Sequence, residues 1–158
     1  MDAWLNQTFG LFVHFFGRAT PEETYTVIAL CVLLGALALS RISIGLGAMG
    51  AFYTTGVLLT PFGLALLIAA MALPSVFGLN SCWMPLATAA LVLLVIVLPL
   101  TILFQKCGYV TALIAWTVTL LVVGAVLTLE PMVRHSADKY IEKGVAIEKH
   151  RIETEKYK

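Results

Sequence analysis

The sequence predicts an all-α integral membrane protein: a four-transmembrane-helix bundle with an N-terminal interfacial helix and a C-terminal amphipathic cytoplasmic helix. Between Ile42 and Gln105 the chain contains no Asp, Glu, Lys, Arg or His. Overall, 60% of the residues are hydrophobic and only 12% are charged. Each Asp, Lys or Arg at the centre of a membrane helix costs about 2.5 to 3.5 kcal/mol, so this long charge-free run, interrupted by Pro and Gly, is typical of several spans.

The length of the apolar region limits the number of spans to four. A helical span needs about 20 residues, so the stretch from about Tyr25 to Leu129 admits four crossings with short connections. We therefore expect an interfacial amphipathic segment over 1–18, a transmembrane domain over 19–130 and a charged tail over 131–158. The spans are predicted at about 22–40, 52–73, 86–104 and 109–129.

The N-terminal segment is too short and too polar to cross a bilayer, although it is rich in aromatic residues. Two placements stay open: a helix lying in the membrane interface, where aromatic rings are favoured, or a helix packed against the chain's own spans. After it, Thr20-Pro21-Glu22-Glu23 has the pattern of a capping box and predicts the start of the first span. Ser40-Arg41-Ile42-Ser43 interrupts the hydrophobicity and predicts the first turn.

The later boundaries follow from Gly, Pro and polar residues. The apolar block from Ile42 to Leu73 is too long for one upright span, so we expect a Gly-rich lead-in before a helix that starts near Phe52. Pro74 to Pro85 is predicted to be a loop, and the turn at Gln105-Lys106-Cys107-Gly108 makes the last two spans an antiparallel hairpin. Glu130-Pro131 is expected to stop the fourth span.

The tail after Met132 has the composition of an amphipathic helix. Val133, Ile141, Val145 and Ile152 recur on one side, and oppositely charged residues at helical spacing cover the rest. Such a helix is expected to be marginal by itself, because Gly144 costs about 1 kcal/mol relative to Ala. Its narrow apolar stripe is therefore expected to dock on a partner surface.

The distribution of Lys and Arg residues predicts which side of the membrane each end of the chain faces. Seven of the ten lie after Met132, and Arg18 is on the same predicted side. Arg41 and Lys106 are on the other side. The positive-inside rule then places both termini in the cytoplasm, in a bacterial inner membrane or its equivalent.

Small residues suggest where helices approach one another. Gly47, Ala51 and Thr55 are spaced by four and would form a small-residue helix face. Gly45, Gly47 and Gly50 also spell G-x-G-x-x-G, but a dinucleotide site needs a preceding strand and a later acidic residue that this region lacks. We interpret the glycines as packing residues.

Candidate polar contacts with a solute or a lipid are few. Arg41 and Lys106 are expected to reach the headgroups, with an anionic ligand as the alternative. Tyr53, Thr54, Thr55 and Thr60 cluster before Pro61, which frees a backbone carbonyl, so these groups could line a transport site. The alternative is that the hydroxyls bond to their own helix backbone.

The sequence contains no recognisable motif for catalysis or metal binding. The three histidines, His14, His135 and His150, all lie outside the predicted spans, and Cys31, Cys82 and Cys107 show no ligand spacing. No cofactor, no enzymatic activity and no nucleic-acid binding are predicted, and an enzyme of lipid or quinone chemistry is the least favoured class.

Two functions remain after these exclusions. The first is an accessory or scaffold subunit of a larger membrane complex, whose partners are other membrane subunits, further copies of the chain and the lipid bilayer. The second is a small oligomeric channel or carrier for a neutral or weakly polar solute, built around Tyr53 to Thr60.

Overall fold

A computed structural model of the chain describes residues 2–18, 20–50, 52–78, 81 and 83–156. The side chains of 2, 3, 134 and 137–156 are not described. The described backbone is helical with short turns and contains no strand. Its elements are α1 (Asp2–Phe16), α2 (Pro21–Gly45), α3 (Tyr53–Val76), α4 (Met84–Val92), a π-helical segment (Leu93–Val97), α5 (Leu98–Gln105) and α6 (Tyr109–Lys156).

Four helical stretches are long and apolar enough to cross a membrane: Pro21–Gly45, Tyr53–Val76, Met84–Gln105 and Tyr109–Val133. The chain is therefore a multi-pass membrane protein. The spans pack in a ring, because α2 contacts α3 and α6, α3 contacts α4, and α5 contacts α6. We call the side where α2 begins and α6 leaves the bundle the terminal side, and the side of the turns at 46–52 and 106–108 the loop side.

The first span begins at the predicted capping box. Thr20 is extended, its hydroxyl accepts the Glu23 backbone N–H, and the Glu23 carboxylate accepts the Thr20 N–H. The end of this span differs from the prediction, because α2 continues through Arg41 to Gly45. Ser40 and Ser43 are buried against other helices instead of making a turn, so their hydroxyls are bonded without breaking α2.

The turn before the second span is where the Gly-rich lead-in was expected. Gly47 has φ +86°, a left-handed conformation that glycine adopts without strain. The Gly50 N–H donates to the Gln105 carbonyl at 2.9 Å, and a Cβ at Gly50 would lie 2.9 Å from the Phe104 carbonyl oxygen. The absence of a side chain thus lets this turn rest directly on the end of α5.

The second span, α3, starts at Tyr53 as expected and runs through both of its prolines. Pro61 and Pro74 each remove one backbone donor, but α3 ends only at Val76. The predicted loop therefore begins later than Pro74. Pro74 is buried, and packing of α3 against α2 and α4 keeps the helical conformation beyond it.

The third span contains a π-helical segment just before Pro99. Leu98 N–H bonds to the Leu93 carbonyl, five residues earlier, and Pro99 has no N–H to continue the regular ladder. The span ends at Lys106, which has left-handed φ 48° and ψ 47°. This sharp end produces the predicted hairpin with α6.

The fourth span does not stop at Glu130-Pro131. α6 is one helix from Tyr109 to Lys156, with Pro131 inside it. Proline deprives only the Leu127 carbonyl of its donor, and its fixed φ is compatible with a helix, so helix-forming residues on both sides carry the conformation through. The tail and the span are therefore one continuous helix rather than two helices joined by a break.

The N-terminal helix α1 packs across α3. The Trp4 indole N–H donates to the Ala69 carbonyl at 3.2 Å, and Ser75 donates to the Gln7 side chain. Phe16 is buried with Val27, Cys31, Leu64, Ile68 and Val123. These contacts show that α1 packs against the bundle. Its placement at a membrane surface stays a prediction.

Candidate functional site

The predicted small-residue face is not a helix face. Gly47 lies in the turn before α3, where a Cβ would meet no described atom within 4 Å, and Ala51 lies outside the described residues. Thr55 is in the first turn of α3, and its hydroxyl donates to the Phe52 carbonyl at 2.6 Å. Glycine does allow close helix approach, but at other positions, Gly56 and Gly63.

The structure places these two glycines on faces of α3 that lie against other helices. A Cβ at Gly56 would overlap the Ser40 hydroxyl and lie 2.7 Å from the Ala36 carbonyl oxygen of α2. A Cβ at Gly63 would overlap the indole of Trp116, which reaches across from α6 and is fully buried. Sequence spacing missed this pair because it does not show which residues of α2 and α6 face these positions of α3.

The predicted polar residues do not converge on one site. Arg41 is exposed near the end of α2, and Lys106 is exposed in the α5–α6 turn. Thr54 and Thr55 line a groove of about 500 Å³ on the loop-side half of the bundle, whose other walls are Leu58, Leu59, Phe62, Leu100 and Phe104. Tyr53 points elsewhere, with its hydroxyl 3.5 Å from the Leu33 carbonyl oxygen.

Thr60 is separate from that groove. It is fully buried, and its hydroxyl has no hydrogen-bond partner among the described residues. Its methyl group lies close to Gly35, with Thr119 and Val123 nearby. In contrast, the hydroxyls of Thr117 and Thr119 donate to carbonyls of their own helix at 2.8 Å, as the simpler interpretation expects.

A buried polar pair joins α2 to α5 near the loop side. Ser43 Oγ donates to Gln105 Oε1 at 2.6 Å, and both residues are fully buried. Gln105 Nε2 has no partner among the described residues. Deeper in the bundle, the Trp116 indole N–H donates to Thr101 Oγ1 at 2.7 Å. Buried hydrogen bonds of this kind fix the register of helices that apolar packing alone leaves free to slide.

An ion pair lies at the terminal side of the bundle. Arg18 Nε donates to Glu130 Oε2 at 2.9 Å, and both side chains are about four-fifths buried, with 18% and 19% exposure. Arg18 Nη1 also donates to the Gly17 carbonyl at 3.0 Å. Sequence reasoning missed the pair because Arg18 and Glu130 belong to opposite ends of the chain.

A partly enclosed crevice occupies the terminal-side half of the bundle. It has a volume of about 480 Å³ and lies between α4 and α6, with α3 behind it and α1 at one end. The described residues that line it all have apolar side chains: Phe15, Phe16, Leu64, Leu67, Ile68, Met71, Leu86, Ala89, Ala90, Leu93, Leu120, Val123 and Leu127. Trp116 fills the interior nearer the loop side, but smaller side chains leave this half open.

The described tail is a helix, but of its predicted docking residues only Val133 has a described side chain, which is 66% exposed. Ile141, Val145 and Ile152 lie on the helical backbone, and their side chains are outside the described part. In the described residues no three His, Cys, Asp or Glu side chains come together as a metal site. Outside the spans, burial raises the pKa of the Cys107 thiol in the α5–α6 turn.

Comparison with known proteins adds no relative. No protein-family model, curated protein or solved structure matches the chain. The fold and the features above define its class as a helical multi-pass membrane protein.

Proposed function

We propose that this protein is an accessory or scaffold subunit of a larger membrane complex, in which the bundle anchors α6 and the tail of α6 docks a partner. In this proposal the termini face the cytoplasm, in a bacterial inner membrane or its equivalent. Arg18 and the seven basic residues of the tail support this orientation against Arg41 and Lys106 alone.

The continuity of α6 carries the proposal. The span window ends at Val133 and the helix at Lys156, so about 35 Å of ideal helix extends beyond the bundle. A flexible linker would decouple a docking segment from the membrane domain, but an unbroken helix transmits both position and rotation. Binding at the tail is then mechanically connected to the bundle.

The base of this projecting helix is held in place. The Arg18–Glu130 ion pair lies one residue before Pro131 and joins α6 to the segment between α1 and α2. It limits the rotation of α6 where proline weakens the helix. The apolar stripe at Val133, Ile141, Val145 and Ile152 would therefore face a defined direction.

The composition of the tail supports docking over simple solvation. Charged residues dominate it, but the stripe repeats on one side along its length. Gly144 in the middle of the tail costs about 1 kcal/mol relative to Ala, and most helix stability in proteins comes from packing an apolar face. A partner surface would supply that packing.

Site-specific photocrosslinking in the native membrane tests the proposal. A crosslinking amino acid at Ile141 or Val145 should give a discrete adduct, while the same group at Lys143, on the opposite side of the helix, should give little. The adduct mass separates a second copy of this chain from a different subunit. Equal reaction at all three positions, or no adduct, would contradict the proposal.

Two insertions after Ser136 test whether rigidity matters. A flexible Gly-Gly-Ser-Gly insertion should uncouple the tail from the bundle and weaken co-purification of the crosslinked partner. An Ala-Ala-Ala-Ala insertion of the same length preserves the helix and turns it by only about 40°. It should retain most of the partner.

The second candidate is the small oligomeric channel or carrier, favoured by the groove that Thr54 and Thr55 line. It predicts solute flux in proteoliposomes that falls when both threonines are changed to Val. Deleting the chain after Pro131 separates the two functions, because it should abolish assembly in the first case and spare flux in the second.

A further inference from the structure

We propose that the crevice between α4 and α6 is a binding site for one acyl chain of a membrane phospholipid. Among the described residues, none that lines the crevice has a polar side chain to bond to water, and a buried water normally needs two to four polar partners. The crevice opens between two spans, so the phase outside it is hydrocarbon. An acyl chain entering from the bilayer would restore the dispersion contacts that an empty gap forfeits.

The gap is built into the packing of the helices. α4 packs against α3, whereas α6 packs against α2 and α5, so the α4 end of the third span diverges from α6. Phe15 and Phe16 of α1 occupy one end of the space and line the crevice. Phe16 is itself buried in the α2–α3–α6 interface. Closing the gap would require α4 to leave α3 or α1 to leave the bundle.

The dimensions favour a lipid chain over a helix from a second copy. The crevice extends along α6 from Leu120 to Leu127, which is about 10 Å of helix. A membrane-spanning helix is about 30 Å long, about three times this length, and Phe15 and Phe16 occupy one end of the crevice. A spanning helix from a second copy therefore cannot lie in the crevice over most of its length. A single acyl chain can enter from the bilayer through the opening between α4 and α6.

The polar end of the lipid has a defined neighbour. Glu130 lies about one turn beyond Leu127 on α6, and Arg18 Nη1 is 3.5 Å from the carbonyl oxygen of Phe15. The Arg18–Glu130 pair is thus at the terminal-side end of the crevice. It presents a cation and an anion together, so a zwitterionic headgroup such as phosphoethanolamine matches both charges, while an anionic headgroup gains no net attraction.

The test uses the full chain in vesicles that contain phosphatidylethanolamine with a photoreactive diazirine on its acyl chain. After illumination, peptide mapping should locate adducts on the crevice walls of α4 and α6. Ala90→Phe fills the crevice and should reduce those adducts about tenfold, a change equivalent to about 1.4 kcal/mol. Ala87→Phe adds the same ring on an exposed position of α4 outside the lining and should change them less than about twofold.

Three further results decide the proposal. Native mass spectrometry should find one retained lipid per chain in the wild-type protein and in Ala87→Phe, but not in Ala90→Phe. If Ala90→Phe does not fold, Ala89→Phe provides the same test from the neighbouring wall position. Adducts spread evenly over the exposed face of α4, or a chain-to-chain adduct in their place, would overturn the site. Equal labelling by phosphatidylglycerol carrying the same diazirine would overturn the headgroup assignment.

Discussion

Arg18 and Glu130 form an ion pair of 2.9 Å between residues 112 positions apart. The contact joins the connection between α1 and α2 to the last turn of α6 before the helix leaves the bundle. One pair therefore links both ends of the membrane domain at the same side. It also lies beside the apolar crevice, so the same residues bear on helix orientation and on the proposed lipid.

Neutralising one member of this pair should destabilise the bundle. Glu130→Gln leaves the mostly buried Arg18 guanidinium without its anionic partner, and the expected loss is about 1 to 3 kcal/mol. Thermal unfolding in a mild detergent measures it. Arg18→Gln should cost a similar amount, and the double variant should cost clearly less than the two single losses together. Additive losses would mean that the pair does not contribute as a unit.

Gly63 and Trp116 provide a test of the bundle centre. Gly63→Ala places a methyl group within the Trp116 ring, so we expect a loss of about 1 to 3 kcal/mol from overpacking. Trp116→Phe removes the outer ring atoms and should partly rescue Gly63→Ala in the double variant. Gly124→Ala is the control, since no described atom lies within 4 Å of its Cβ position. A loss in Gly124→Ala equal to that in Gly63→Ala would contradict the packing argument.

The Ser43–Gln105 bond should show an asymmetric response. Ser43→Ala leaves the buried Gln105 Oε1 without a donor and should cost about 1 to 3 kcal/mol. Gln105→Leu removes both that acceptor and the buried Nε2, which has no partner among the described residues. Gln105→Leu alone should therefore be close to neutral, because the Ser43 hydroxyl can bond to its own helix backbone. Combined with Ser43→Ala it should also be close to neutral, because both polar partners are then removed. Equal losses from the two single variants would disprove this account.

Cys107 reports topology and pH dependence together. In a Cys82→Ser background Cys107 is the thiol that can react, because Cys31 is fully buried. The predicted threading places Cys107 on the side opposite the termini, so a membrane-impermeant maleimide should label it only from that side. Burial raises the pKa of the Cys107 thiol, so less thiolate is present near neutral pH than for a free thiol. Labelling should accelerate about tenfold per pH unit and continue to rise above pH 8.5, where free cysteine levels off. Labelling from the side of the termini would contradict the predicted threading.

Local signals in the sequence located several boundaries correctly. The capping box at Thr20 to Glu23 is closed by two hydrogen bonds within four residues, and the start of α3 at Tyr53 and the turn at Lys106 coincide with local changes in composition. The errors came from local breakers that tertiary packing overrides. Arg41 lies in α2 because its neighbours Ser40 and Ser43 find partners on other elements, and α6 passes through Pro131 because one lost donor does not end a supported helix.

The features of the candidate site depend on contacts over long chain distances. Ser43 and Gln105 are 62 residues apart, and the crevice takes its walls from α1, α3, α4 and α6. No periodicity or spacing in the sequence specifies which residues of different helices meet. The predicted groups also did not assemble: Thr60 is buried away from Thr54 and Thr55, and Gly47 is in a turn.

The sequence by itself determined that this protein is helical, that it crosses a membrane and that it does so four times. These properties follow from the free energy of placing residues in hydrocarbon. That free energy depends on the composition of each segment and not on the other segments. Only the tertiary structure decided the unbroken course of α6, the Arg18–Glu130 pair and the crevice between α4 and α6. Those features arise from how the helices fit against one another, and in a bilayer that fit depends on individual small residues and hydrogen bonds rather than on hydrophobicity.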